Sequence, residues 1–148
     1  IGLIAGINVA GQAERIYWLP GVRIALDLPG FAFANLDVSG YLQGSSPGPD
    51  EDDAYQIDFN WALPFELGAA RFSLEGHVEY IRGAGHDAGG RRASWVLAQP
   101  QLRLDLGQLL FDRADRLFLG IEYQYWRNKL GDADTDESVA QALLVWRL

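Results

Sequence analysis

From Arg116 onward the chain alternates. Leu117, Leu119, Ile121, Tyr123 and Tyr125 recur at every second position, and Phe118, Glu122, Gln124, Trp126 and Asn128 hold positions of the opposite parity. Successive side chains of a strand point to opposite faces, so one face of this stretch suits an apolar medium and the other suits water. After the acidic segment 131–137 the alternation resumes at Ser138. Ala140, Ala142, Leu144, Trp146 and Leu148 there oppose Val139, Gln141, Leu143, Val145 and Arg147. The pattern predicts strand, acidic loop, strand.

The same period runs through the rest of the chain. Residues 1–10 are a short apolar segment read as a strand of ambiguous phase. Across 15–28, Ile16, Trp18, Pro20, Val22, Ile24, Leu26 and Leu28 oppose Arg15, Tyr17, Gly21, Arg23, Ala25 and Asp27. That run is long beside the about 5–6 residues usual for a soluble strand. Pro29-Gly30 supplies a tight turn. Residues 31–43 then set Ala32, Ala34, Leu36, Val38, Gly40 and Leu42 against Phe33, Asn35, Asp37, Ser39 and Tyr41. Segment 44–53 lacks any large apolar side chain and reads as an exposed loop. Tyr55, Ile57, Phe59, Trp61 and Leu63 oppose Gln56, Asp58 and Asn60, and a reversal is expected over 63–68. Next, Phe72, Leu74, Gly76, Val78 and Tyr80 oppose Arg71, Ser73, Glu75, His77 and Glu79. A glycine-rich loop is expected at 83–90. In 93–106, Val96, Ala98, Pro100, Leu102, Leu104 and Leu106 oppose Trp95, Gln99, Gln101, Arg103 and Asp105. Pro100 argues for an edge or a bulge there. One helical turn fits 107–115.

Eight antiparallel strands result, and their connections alternate in kind. Those at 129–137, 83–91 and 44–53 are polar, acidic or glycine-rich, whereas those at 107–115, 63–69 and 28–30 are apolar or short. Long loops on one rim and short turns on the other mark bacterial outer-membrane barrels, whose termini usually lie at the periplasmic end. The expected fold is all-β, a single antiparallel transmembrane β-barrel domain over residues 1–148.

Composition narrows the function classes. The formal charge of −8 makes nucleic acid and anionic membrane surfaces poor partners. Absence of cysteine excludes disulfides, zinc-thiolate sites and thiol nucleophiles. No run of about 18 apolar residues could form a membrane helix, although 49% of residues are apolar. Hydrophobicity dispersed at short period is what an alternating barrel requires. Methionine is absent and no signal-peptide leader precedes Ile1, so the chain is read as a mature product, a trimmed chain or a fragment.

The inward parity carries Arg23, Asp27, Asp37, Asp58, Arg71, Glu75, His77, Glu79, Arg103, Asp105 and Glu122. A soluble core of this size could not bury so many ionisable groups unpaired. A water-filled lumen accommodates them, as would a one-sided sheet with a solvated polar face. Tyr17, Phe31, Phe33, Tyr41, Trp95, Phe118 and Trp126 share those faces and could stack on a planar ring, or simply pack. Asp132, Asp134 and Asp136 copy the start of a calcium loop, but Glu137 stands where that loop needs glycine and Leu143 where it needs glutamate. Gly83 and Gly85 lack the third glycine and the helix of a phosphate cradle. Ser73, Ser94, His77 and His86 form no local signature of a catalytic triad. The expectation is a non-enzyme with no cofactor and no metal.

Three stretches carry a resemblance. They are 19–31 (LPGVRIALDLPGF), 61–68 (WALPFELG), and 99–107 (QPQLRLDLG) running on to 118–131 (FLGIEYQYWRNKLG) and 136–138. Together they resemble the Tsx-type family of nucleoside-specific channel-forming outer-membrane proteins, and the similarity extends over most of 15–148. It implies a twelve-stranded barrel that conducts nucleosides and deoxynucleosides through the bacterial outer membrane. The eight strands would then be its C-terminal portion. Leu148 departs from the phenylalanine that usually ends such proteins. The implied partners are nucleosides as transported solute and outer-membrane lipid, with the protein a monomer.

Solute contacts are assigned from alternation alone. Trp95, Gln99, Gln101, Glu122, Gln124, Trp126, Tyr17, Phe33 and Tyr41 are the lumen candidates, with both tryptophans expected toward the extracellular mouth. Two other architectures fit the count. One is a complete eight-stranded barrel with a structural or adhesive role. The other is a soluble lipocalin-type barrel, whose apolar faces would point inward.

Overall fold

A computed structural model of the chain describes residues 1–10, 15–44, 53–83, 86–87 and 90–147. The alternating runs form β1 (Gly2–Ala10), β2 (Arg15–Ala25), β3 (Phe33–Gln43), β4 (Ala54–Leu67) and β5 (Ala70–Ile81). They continue as β6 (His86–Asp87), β7 (Gly90–Arg91), β8 (Trp95–Ala98), β9 (Gln101–Asp105), α1 (Leu106–Phe111), β10 (Leu117–Arg127) and β11 (Glu137–Trp146). All pairings are antiparallel, and the strands of the main sheet follow chain order; β6 and β7 form a separate two-stranded ribbon in the connection expected to be a glycine-rich loop.

β8 and β9 together act as one strand between β5 and β10, so the nine-stranded sheet presents the eight expected rows. The interruption at Gln99 and Pro100 is a bulge, the second of the two features, edge or bulge, that the proline allowed. Backbone bonds survive it, from Gln99 N to His77 O at 2.9 Å and from Tyr123 N to Pro100 O at 2.9 Å. Gly76 lies opposite, where a Cβ would sit 2.5 Å from Gln99 O.

Pro20 and Pro64 sit where the ladder can omit an N–H. Between β2 and β3, the paired positions skip Leu19 and Pro20. Pro64 is inside β4, so the reversal expected over 63–68 is shifted to Gly68 and Ala69, with Gly68 at φ +62°. Residues two apart in a strand bond to the same side. Ala62 O accepts from Ala32 N, so Pro64 also faces β3, beyond the last β3–β4 pair, Phe33 and Ala62. No ladder bond is lost.

Two contacts between strands that are not neighbours define the curvature. Tyr41 on β3 and Trp95 on β8 are three ladders apart, about 14 Å along a flat sheet at usual spacing. Their ring centroids are 6.5 Å apart. Arg147, just past β11, reaches Glu75 on β5 at 3.8 Å. The sheet therefore bends round the face bearing these side chains. Ala62, Ile81, Trp95, Leu97 and Phe118 are buried on that concave face together with Asp37, Ser39 and Asp105.

The convex face is apolar and lies open. Leu3, Ile7, Trp18, Leu102, Ile121, Leu144 and Trp146 are all exposed on it, Ile121 to 60% and Trp146 to 75%. The apolar faces thus point outward, opposite to the lipocalin-type arrangement. The strand order ends at β1 and β11, which form no ladder with each other among the described residues.

Candidate functional site

Register converts the inward parity of each strand into continuous rows across the concave face. Arg23, Asp37, Asp58 and Glu79 stand side by side on β2, β3, β4 and β5. Like charges directly opposite one another are unfavourable, so three adjacent carboxylates need donors. Arg23 grips both oxygens of Asp37, Nε to Oδ1 at 2.8 Å and Nη2 to Oδ2 at 2.6 Å. Asn60 donates to Asp58 at 2.8 Å, and Gln56 donates weakly to Glu79 at 3.4 Å. Asp58 Oδ1 is buried without a partner among the described residues. The row keeps a surplus of acceptors and negative charge. Asn35, Asn60 and His77 form the next row toward the short-turn rim, with Asn35 Nδ2 donating to Asn60 Oδ1 at 3.1 Å.

A second polar patch crosses β5, β9 and β10. Arg103 pairs with Glu75 at 2.6 Å and donates to Gln101, which in turn donates to Glu122. Ser73 donates to Glu75 at 2.8 Å. Gln141 on β11 extends the patch by donating to Gln124 at 3.2 Å.

Aromatic side chains gather toward the long-loop rim. Tyr17 and Tyr41 lie 4.5 Å apart, Asn8 donates to the Tyr41 hydroxyl at 2.8 Å, and Trp95 meets Tyr41 edge to face. The loop after β10 packs down on Trp95. Asn128 Nδ2 donates to Ser94 O at 2.9 Å, and Ala93 N donates to Gly131 O at 2.9 Å. Trp126 sits in register with Leu97, with the Lys129 ammonium 5.9 Å over its ring. Its Nε1 is buried with no partner among the described residues.

The expected lumen candidates divide accordingly. Tyr17, Tyr41, Trp95 and Trp126 lie at the long-loop end, and Gln101, Glu122 and Gln124 line the wall of β9 and β10. Gln99 falls at the bulge. Phe33 is at the opposite rim, in a cavity of about 620 Å3 shared with Ser73, Glu75, Phe118 and Arg147.

The charges also separate by role. Arg23, Asp37, Asp58, Glu75, His77, Glu79 and Arg103 belong to the concave face. Asp27 is exposed beyond the end of β2. Arg71 makes a 3.7 Å surface pair with Glu66 at the short-turn rim, a contact worth little in water. Asp105, 3% exposed, caps α1 through Gln108 N at 2.9 Å and accepts from Asp115 N at 2.8 Å, so both carboxylate oxygens are committed.

Asn8 and Arg147 join the concave face without having been singled out as candidates. Asn8 is the one polar side chain of residues 1–10 and shares its parity with Gly2 and Gly6, a signal available in the chain itself. Arg147 lays its guanidinium over Phe118 at 4.7 Å. That placement needed the curvature of the sheet.

No family model, curated protein or solved structure matches the chain.

Proposed function

We propose that the chain forms part of the wall of a bacterial outer-membrane β-barrel that passes nucleosides passively, as a monomer, without catalysis or cofactor. The observation that carries this reading is the sidedness of the sheet: an apolar convex face and a concave face of carboxylates, amides and aromatic rings. Tyr55 and Phe65 bracket that apolar band on β4, about 33 Å apart along the strand at usual rise and about 25 Å apart along the membrane normal at usual tilt. This matches the height of an outer-membrane apolar band.

The unpaired sides of β1 and β11 support a larger barrel, twelve-stranded as the family resemblance implies. Hydrocarbon does not tolerate open sheet edges, so further strands would occupy them. A nucleoside joins a flat base to a hydroxyl-rich sugar. Tyr41 and Trp126 offer faces for the base, with buried Trp95 packed against Tyr41 in support, while Asp58, Glu79 and Glu122 offer acceptors for hydroxyl donors.

A second reading, a structural or adhesive eight-stranded barrel, draws on the cross-face contacts Tyr41 to Trp95 and Arg147 to Glu75, since barrels of that size are filled by side chains. Planar-bilayer recording separates the two. Adenosine should reduce the ion current of the channel, and Trp126→Ala or Glu122→Ala should weaken that block while leaving open conductance nearly unchanged. Absence of any conductance would favour the structural barrel. Equal block of parent and variants would remove this wall as the solute site.

A further inference from the structure

Where α1 meets the end of β11, the short-turn rim carries a groove of about 1330 Å3. Phe111, Leu117, Leu144 and Trp146 form its apolar side, and its charged lining consists of Arg113, Arg116 and Arg147. In a chain of net charge −8 with only 12 lysines and arginines, a cavity lined among the described residues by three arginines and no carboxylate is a local reversal of sign. Arg147 is already turned toward Phe118 and Glu75. Arg113 and Arg116 are exposed and enter no ion pair among the described residues. The neighbouring Asp112 does not line the groove, and its Oδ1 accepts from Gln108. Beside the arginines, α1 exposes Leu109, Leu110 and Phe111 in succession. Large apolar side chains next to free guanidinium groups, at the edge of an apolar belt, suit a boundary between headgroups and acyl chains.

We propose that this groove seats the phosphate headgroup of an anionic phospholipid on Arg113 and Arg116, its acyl chains running along Leu144 and Trp146. The inference rests on the reading of the convex face as lipid-facing and is independent of the solute. Overall negative charge disfavours broad adsorption to an anionic surface, but it does not oppose one headgroup held at a cationic groove, because charges beyond about 10 Å are largely screened. Guanidinium groups are suited to the task, since they bind phosphate through paired N–H donors.

The experiment refolds the full-length protein into vesicles of equimolar dioleoyl phosphatidylglycerol and dioleoyl phosphatidylcholine, which share their acyl chains and differ in headgroup, anionic in the first and zwitterionic in the second. Lipids retained after extraction are then counted by native mass spectrometry. At about fivefold per basic side chain near an anionic surface, the two free arginines should favour phosphatidylglycerol by roughly thirtyfold. The Arg113→Gln/Arg116→Gln variant should lose the preference, and Arg113→Lys/Arg116→Lys should keep most of it. Equal retention of both lipids by the parent, or a preference that persists in the glutamine variant, overturns the headgroup site while leaving the membrane reading intact. A full-length protein that does not enter the mixed vesicles overturns both.

Discussion

Replacing Ile121 by arginine tests the sidedness on which the functional reading depends. Ile121 is 60% exposed on the convex face of β10, in register with Leu102 on β9 and Ala142 on β11. Tyr125 and Leu117 flank it at four residues on either side, each about 13 Å away along the strand, or about 10 Å along the membrane normal. Ile121 is therefore in the middle of a band about 25 Å tall. If hydrocarbon covers this face, the guanidinium should cost about 2–4 kcal/mol, a change of roughly 30-fold to 800-fold in the unfolding equilibrium. Trp146→Arg, at the short-turn rim, should cost only about 0–1 kcal/mol. If water covers the face, both substitutions are ordinary surface changes within about 0.5 kcal/mol. Reversible guanidinium unfolding from phosphatidylcholine vesicles, followed by tryptophan fluorescence, measures the difference for Ile121→Arg. For Trp146→Arg, which removes a tryptophan, far-ultraviolet circular dichroism supplies the midpoint. Equal and small costs at the two positions would refute the lipid-facing assignment, whatever the protein conducts.

Three further outcomes follow from the interior. Arg23→Ala leaves Asp37, 8% exposed, beside Asp58 without its guanidinium; with Arg23 itself half exposed, the loss should be about 1–2 kcal/mol rather than the 3–5 of a fully buried pair. A urea midpoint measures it, and the added Asp37→Ala change should recover stability; a further fall would show that Asp37 does not depend on Arg23. Asp105→Ala should cost about 1–2 kcal/mol through loss of the helix cap, and it should speed hydrogen exchange at the Gln108 and Asp115 amides. Unchanged exchange at both amides would contradict the capping role. Gly76→Ala forces a Cβ to within 2.5 Å of Gln99 O, so it should cost about 1–3 kcal/mol and loosen the Gln99 amide, again read by exchange.

The eight rows and their faces were legible along the chain because side-chain alternation is a local property; of the connections expected to form the long-loop rim, 45–52, 84–85 and 88–89 lie outside the described residues. Leu117, Leu119, Ile121, Tyr123 and Tyr125 point one way whatever β10 pairs with, Pro29-Gly30 turns by itself, and Pro100 marks an edge or a bulge. The place of Pro64 inside β4, by contrast, has a non-local cause. Whether a strand tolerates a missing N–H depends on where its neighbour ends, and β3 stops just short of it.

By itself, then, the sequence determined an antiparallel sheet with one apolar and one polar face, and it named most side chains of the polar face. Only the tertiary structure decided which face is concave, since bending is set by register summed over many ladders. That bending brings Tyr41 to Trp95 and Arg147 to Glu75, pairs far apart in sequence with no shared motif. It also divides the charges of one parity into different tasks. Asp37 and Asp58 remain in an acidic row, whereas Asp105 is consumed by a helix end that folds back beneath the sheet. Alternation says which way a carboxylate points, and only the packed neighbours say whether its lone pairs are still free.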